Sequence, residues 1–541
     1  MKKAMKKLMA ALLAVAMVCA MVVPAWAAGG ATTASTTNTL TIHASTTGRA
    51  YEAYQVFKGK LNSNGVLSDI DWGDGVKGDD IRTDSKLPTS LQGANTAAEL
   101  AAKLEASTVT AADVDAFATV VGDHLATVKY DSVASTTGTD YTISGLSDGY
   151  YFIKDATTTL PEGATYSRYM LSILKDEAIK TKETSVTLDK EIYHNDTDSW
   201  GVVGDNQIGD TVKFRTITTV PDTTGYTTYT YKIHDTMSPE LTSNVKSKAD
   251  ITIKINNSDA TILDPQYYDV DVNGNTFTVT VKIIEAVNAR VIDGDDYLYT
   301  YYSGVLNESA KVYDEGNQNN EAYLEYSNNP TAGGTGKTPE KKVYDWTFKV
   351  DVTKVDGTDH TTTLKGAVFV LSETSGLNLA SDKDGNPTDT SKLIPLVAGS
   401  DGVYTVANTS STTTSSTTTY IMTTPVDGKI SIKGLDDHKE YYLYETKAPD
   451  GYNTLTEPVK FRVNQLKDAA YSTDGSDYII TPTVKVNGTD SGSVAFNVEN
   501  NRGTTLPGTG GIGTTIFYVI GGGLMVAAGV LLITKKRMEN R

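Results

Sequence analysis

The sequence predicts an all-β protein built from about three tandem domains, and three observations carry that reading. Roughly 480 of the 541 residues remain once the two terminal segments are set aside, which suits about three domains at ~150 residues each. Glycine and threonine are abundant, tyrosine occurs 31 times, and long helical repeats are few, a composition that favours strands. Thr276-Phe277-Thr278-Val279-Thr280-Val281 alternates with strict period two, the mark of a half-buried strand.

Residues 1–27 read as a secretory signal. Lys2, Lys3, Lys6 and Lys7 precede an apolar stretch from Leu8 to Val23, and Ala25-Trp26-Ala27 supplies a small-x-small cleavage site. The one cysteine, Cys19, lies inside this segment, so the exported chain has no thiol and cannot use disulfides.

Residues 28–183 form a first unit bracketed by strand-like runs at Leu40-Thr41-Ile42 and Gly149-Tyr150-Tyr151-Phe152-Ile153. Its helical content lies between them. Thr110 and Asp113 form an N-cap pair, followed by Val114, Phe117, Val121 and Leu125 at helical spacing, and Ala97–Leu104 is a second, shorter helix. Asp71-Trp72-Gly73-Asp74-Gly75 reads as a loop.

A middle unit spans 184–330, with Asn273-Gly274 as a turn ahead of the alternating strand. Residues 331–342, rich in Gly, Thr and Pro, read as a linker. A C-terminal unit spans 343–503. Its Asn408–Thr419 tract has too little apolar surface to pack and reads as an exposed loop open to glycosylation. Asp382-Lys383-Asp384-Gly385-Asn386 lacks the full spacing of a calcium loop and reads as a hairpin turn.

The last segment, 506–541, contains an apolar run from Ile512 to Ile533, about the ~20 residues a helix needs to cross a bilayer. Lys535-Lys536-Arg537 behind it would stay in the cytoplasm. Ahead of it, Leu506-Pro507-Gly508-Thr509-Gly510 resembles the LPxTG sorting signal of Gram-positive surface proteins. That resemblance implies that a sortase cysteine attacks the Thr509 carbonyl and releases the Gly510 side, leaving the chain on peptidoglycan.

Removing the leader and everything after Thr509 takes the formal charge from −18 to about −25, which argues against nucleic acid as a partner. The six histidines show no ligand spacing, and no phosphate loop or nucleophile elbow appears. We therefore expect no metal, no cofactor and no turnover enzyme.

The chemistry is carried by strand phase, because side chains two apart share a face. Trp346, Phe348, Val350 and Val352 lead in phase to Lys354; Tyr441 and Leu443 lead to Glu445; Phe496 and Val498 lead to Asn500. The middle unit repeats this. Val186 and Leu188 lead to Lys190; Tyr229, Tyr231 and Ile233 lead to Asp235; Leu324 and Tyr326 lead to Asn328. A buried ammonium or carboxyl must pair or neutralise. A neutral lysine is a nucleophile, and a protonated acid can polarise a carboxamide, so each set can form a Lys–Asn isopeptide bond once. A buried Lys–acid salt bridge is the alternative.

Val352-Thr353-Lys354-Val355-Asp356, Tyr444-Glu445-Thr446-Lys447-Ala448-Pro449-Asp450-Gly451-Tyr452 and Val498-Glu499-Asn500 resemble the B-type collagen-adhesin (CnaB) immunoglobulin-like domain of sortase-assembled pilins. Leu364-Lys365-Gly366-Ala367-Val368-Phe369 belongs to the same match. The resemblance implies a β-sandwich in which Lys354 and Asn500 are joined, with Glu445 as catalytic acid. Val186-Thr187-Leu188-Asp189-Lys190, Ile208-Gly209-Asp210, His234-Asp235-Thr236 and Glu325–Pro330 resemble the middle domain of the same pilins. This implies a Lys190–Asn328 bond with Asp235 as acid; Asn329 stands out of phase as an alternative, and Asn320 is also in phase.

The function implied is the backbone subunit of a wall-anchored pilus, in which the Thr509 acyl group passes to a lysine of the next copy. Lys182 is the expected acceptor and Lys180 the second choice; the family's Tyr-Pro-Lys context is absent around Ile179-Lys180-Thr181-Lys182-Glu183. Sortase, further copies of the chain, minor pilins and peptidoglycan are the implied partners. A monomeric adhesin or minor pilin binding host glycan or matrix protein is the alternative. The first unit offers no matching triad, although Lys58 follows Tyr54 and Val56 in phase.

Overall fold

The alternation at Thr276–Val281 resolves as a strand with Phe277, Val279 and Val281 buried and its threonines half-buried on the other face. It pairs antiparallel with Tyr268–Asn273 through a turn in which Gly274 has φ +62°, a conformation that Asn-Gly turns supply at little cost. The computed structural model describes residues 37–503 and 512–539, except 45, 62–65, 135–137, 161, 182–185, 196, 224–225, 330–332, 410–417, 438 and 465–480. The leader at 1–27, Lys182, the sorting pentapeptide Leu506–Gly510 and most of the Ser/Thr tract lie outside the described residues.

The described chain divides into two compact units at Trp346/Thr347. The first unit holds two sandwiches. In the N-terminal one, the Asn38–His43 strand lies between Asp140–Leu146 and Glu177–Lys180, and faces a sheet built on Tyr51–Leu61, Gly149–Asp155 and Arg168–Ile173. Leu40, Ile42, Tyr141, Ile143, Tyr151 and Ile153 fill the space between the sheets. The far face of the second sheet is covered by helices, whose Leu100, Phe117 and Val121 pack on Val56 and Phe57.

Those helices form where their caps predict. Thr96 accepts from Glu99 N ahead of Ala97–Leu104, and Thr110 and Asp113 close a capping box ahead of Ala111–Asp123. Asp71 and Trp72 end a strand, Leu67–Trp72, instead of lying in a loop.

The middle sandwich stacks two sheets. One runs Ser199–Gly201, Leu188–His194, Thr211–Thr219, Tyr297–Leu306; the other centres on Gln318–Ser327 and Tyr231–Met237. Residues 331–342 are not a simple linker. Thr335–Lys337 and Lys341–Trp346 both pair antiparallel with Gln318–Ser327, so the middle sandwich extends to Trp346. The reason is physical: Val343, Asp345 and Trp346 are buried, and burial outweighs the loop-like composition before them.

In the second unit, the first strand, Phe348–Asp356, and the last, Ala495–Asn500, are parallel neighbours, with Lys354 opposite Val498 and Asp356 opposite Asn500. Tyr441–Lys447 is a central strand of the second sheet. Asp382–Asn386 closes as a turn, with Gly385 N donating to Asp382 O. A 28-residue helix, Ile512–Glu539, contains the segment Ile516–Glu539, which is long and apolar enough to cross a membrane.

Candidate functional site

Two buried clusters stand where strand phase predicts charge inside a sandwich. In the C-terminal unit Lys354, Glu445 and Asn500 come together. Lys354 is fully buried; its Nζ donates to Val498 O at 2.9 Å and lies 3.8 Å from Glu445 Oε1. Asn500 Nδ2 donates to Glu445 Oε2 at 2.9 Å and to Asn453 O at 2.8 Å, and Leu455 N donates to the same Glu445 oxygen. Glu445 Oε1 and Asn500 Oδ1 are buried without a hydrogen-bond partner.

Burial dominates the electrostatics. It pulls the Lys354 amine down to about 8, against the attraction of Glu445, and pushes the Glu445 carboxyl up. Both shifts favour the neutral amine and neutral acid that amide exchange requires.

The end of this site is pinned by residues beyond the triad. Asp356 Oδ2 accepts from Tyr452 OH at 2.7 Å and from Arg502 Nε at 3.1 Å, while Gly357 N donates to Asn500 O. Asn453 N donates to Asn501 O and Gly503 N to Gly451 O. The Asn453 carbonyl that orients the Asn500 amide is thus itself fixed to the strand that carries Asn500.

In the middle sandwich Lys190 comes from one sheet and Asp235 from the other. Lys190 Nζ lies 2.5 Å from Asp235 Oδ2, with both side chains wholly buried. Burial pulls the amine down and pushes the acid up, as in the other unit. Tyr302, unnoticed in the sequence, bonds both groups, and its ring lies 5.0 Å from Lys190 Nζ. Its inward phase on a tyrosine-rich strand does not set it apart from other core tyrosines.

The carboxamide at this site belongs to Asn320, not Asn328. Asn320 is fully buried, and its amide is close enough to the Asp235 carboxyl and the Tyr302 hydroxyl to hold both back from the full upward push of burial. Asn328 is half-buried past the end of its strand. It lies six residues beyond Ala322, the partner of Asp235, which is roughly 20 Å at ~3.3 Å per residue. Its backbone carbonyl accepts from Tyr166 N, and Tyr326 OH donates to Ala164 O, so this end serves the joint with the N-terminal sandwich. Asn329 is half-buried at the same end.

The N-terminal sandwich places a different pair inside. Arg49 Nη1 donates to Asp155 Oδ2 at 2.7 Å with both side chains fully buried. A guanidinium does not deprotonate in proteins, so this pair cannot become an amide. Lys58 instead pairs with Asp74 at the surface, and Lys180 is exposed on Glu177–Lys180, opposite His43.

Residues 348–477 match the SpaA family, described as a prealbumin-like fold domain, and residues 498–540 match the LPXTG cell wall anchor motif. The chain is similar to the trypsin-resistant surface T6 protein of Streptococcus pyogenes serotype M6, with 26% identity over 57% of this chain and 61% of that protein. It is also similar to the type 1 fimbrial subunit of Actinomyces viscosus, with 27% identity over 70% of this chain and 59% of that one. The chain thus spans about three fifths of the length of both relatives. Its fold matches the solved T6 backbone pilin of S. pyogenes at a TM-score of 0.50 and 17% identity, over 86% of this chain and 99% of that one. The C-terminal signal and its apolar helix make this a wall-anchored surface protein with a transient membrane anchor.

Proposed function

We propose that this chain is the backbone subunit of a cell-wall pilus. A sortase transfers the Thr509 acyl group to Lys182 of the next copy, and Lys190–Asn320 and Lys354–Asn500 isopeptide bonds stabilise the shaft. The observation that carries this reading is a pair of buried Lys–acid–Asn clusters in the two sandwiches between Lys182 and Thr509. The N-terminal sandwich, off that path, buries an Arg49–Asp155 ion pair instead.

The chemistry balances without a cofactor. Nζ loses one proton to the acid and attacks the amide carbon; its second proton follows the departing Nδ2, which leaves as ammonia. Each bond closes a loop of about 130 to 145 residues. By analogy with disulfides, that is worth on the order of 5 kcal/mol of chain entropy. Homology to fimbrial and pilus proteins supports polymerisation, and the sorting motif supports transfer to peptidoglycan or to another subunit.

The test has two arms. Wall-released protein should run as a ladder of SDS-resistant multimers that collapses in Lys182→Ala, and its mass should lack two ammonia equivalents, about 34 Da. A single band with the sorting signal cleaved would instead favour a monomeric adhesin.

A further inference from the structure

Asp235 Oδ2 is contacted by two groups, Lys190 Nζ and the Tyr302 hydroxyl, and the hydroxyl also bonds Nζ. We propose that Tyr302 is a third catalytic group of the middle sandwich, relaying a proton from Lys190 Nζ to Asp235 Oδ2 as the Lys190–Asn320 amide forms. The inference rests on the reading that this bond forms.

Donor chemistry fixes the direction of the relay. An ammonium has no lone pair, so the tyrosine oxygen must accept from Nζ, and its single proton must then point at the carboxylate. When Nζ gives its proton to the tyrosine oxygen and the tyrosine proton moves to Oδ2, Tyr302 ends neutral, as it began. Asp235 becomes a carboxylic acid and Lys190 a neutral amine. Nζ then bonds to Cγ of Asn320, the Cγ–Nδ2 bond breaks, and the second Nζ proton leaves with Nδ2 as ammonia. Asp235 retains the relayed proton until solvent or the departing ammonia removes it.

The surroundings hold the relay still. The Tyr302 ring stacks on Phe214 at 5.9 Å and meets Phe277 edge-on at 4.9 Å, so the hydroxyl has little freedom to turn away. With Oδ2 engaged by the amine and the phenol, the buried Oδ1 is the oxygen left for the Asn320 amide, which interacts with both Asp235 and Tyr302.

The C-terminal site is arranged the other way. There Glu445 holds the carboxamide, and the amine is held by a backbone carbonyl, Val498 O. Its reaction should be indifferent to Tyr302, which makes it an internal control within one chain.

The experiment follows both bonds in the full chain, collected unreacted in denaturant and refolded in detergent. Samples are quenched at intervals, digested, and scored by mass for each cross-linked peptide. Tyr302→Phe, which keeps the ring and removes only the hydroxyl, should slow the Lys190–Asn320 bond by roughly 10²-fold, the low end for general acid–base groups. The Lys354–Asn500 bond should keep its rate. Equal rates for the middle bond in both chains would overturn the proposal. A second comparison separates chemistry from packing: Lys190→Ala and Lys190→Ala/Tyr302→Phe, neither able to react there, should melt within a few degrees of each other. A larger gap would assign the slowing to packing and sink the relay. If the unmutated chain yields no Lys190–Asn320 peptide at all, the parent reading of the middle sandwich fails instead.

Discussion

Lys354 and Asn500 stand two residues apart in register on neighbouring parallel strands: the lysine ammonium donates to Val498 O, and Asn500 lies opposite Asp356. A bond between them would tie the first strand of the unit to its last. Lys354→Ala should therefore retain one ammonia, about 17 Da, and lower the melting temperature of the C-terminal unit. A loss of about 5 kcal/mol in a domain of this size corresponds to roughly 10–20 °C. Calorimetry of the variant beside the parent chain reads this directly, and an unchanged transition would argue that no bond forms.

The two asparagines of the middle sandwich give opposite expectations. Asn320→Ala removes the only carboxamide beside Lys190 and Asp235 among the described residues, so the cross-linked peptide should vanish and the mass should rise by the retained ammonia, corrected for the substitution. Asn328→Ala, at the joint with the N-terminal sandwich, should leave the cross-link complete. Peptide mapping of both variants decides between them, and loss of the bond in Asn328→Ala alone would reverse the assignment.

The pH dependence of bond formation follows from proton counting. The reactive pair, neutral amine and neutral acid, carries the same single proton as ammonium and carboxylate, so the rate should be level while that proton is present. It is lost as pH rises through the Lys354 value of about 8, and the rate should then fall about tenfold per unit. On the acid side a second proton binds the pair, and burial of Glu445 moves that limb upward from the usual carboxylate range. Refolding the unreacted chain across pH 5–10 and scoring the Lys354–Asn500 peptide tests this. A rate that climbs steadily to pH 10 would mean the acid plays no part.

Strand phase made most of this legible. Inward runs such as Val350-x-Val352-x-Lys354 and Tyr231-x-Ile233-x-Asp235 carry their charged residue to the core because a strand has only two faces. Phase says nothing of height along the strand, however. Asn320, Ala322, Leu324 and Tyr326 share one buried stripe, and choosing its C-terminal end led to Asn328 when the antiparallel register with Asp235 selects the other end. Tyr302 was hidden for a related reason: its role depends on which strand lies two places across the sheet, information that sits in pairing and not in local pattern. The apparent linker at 331–342 misled because its Gly and Pro content describes the turns between short strands as well as it describes a tether.

Asn320 rather than Asn328 also changes what force would do. Under load between Lys182 and the C terminus, tension would pass from Lys190 to Asn320 and leave residues 191–319 slack. The segment from 321 to 346, in which Ala322 pairs with Lys341 and Glu325 with Lys337, would remain on the loaded path. Single-molecule pulling should therefore release no more than about 9 nm from the middle sandwich, the extended length of some 26 residues at ~3.5 Å each. Lys190→Ala frees the whole sandwich and should release about 55 nm by the same measure. A full-length release from the unmutated chain would show that Lys190 is unbonded. A release well under 9 nm that lengthens only when Asn328 is replaced would place the bond at the far end of the strand.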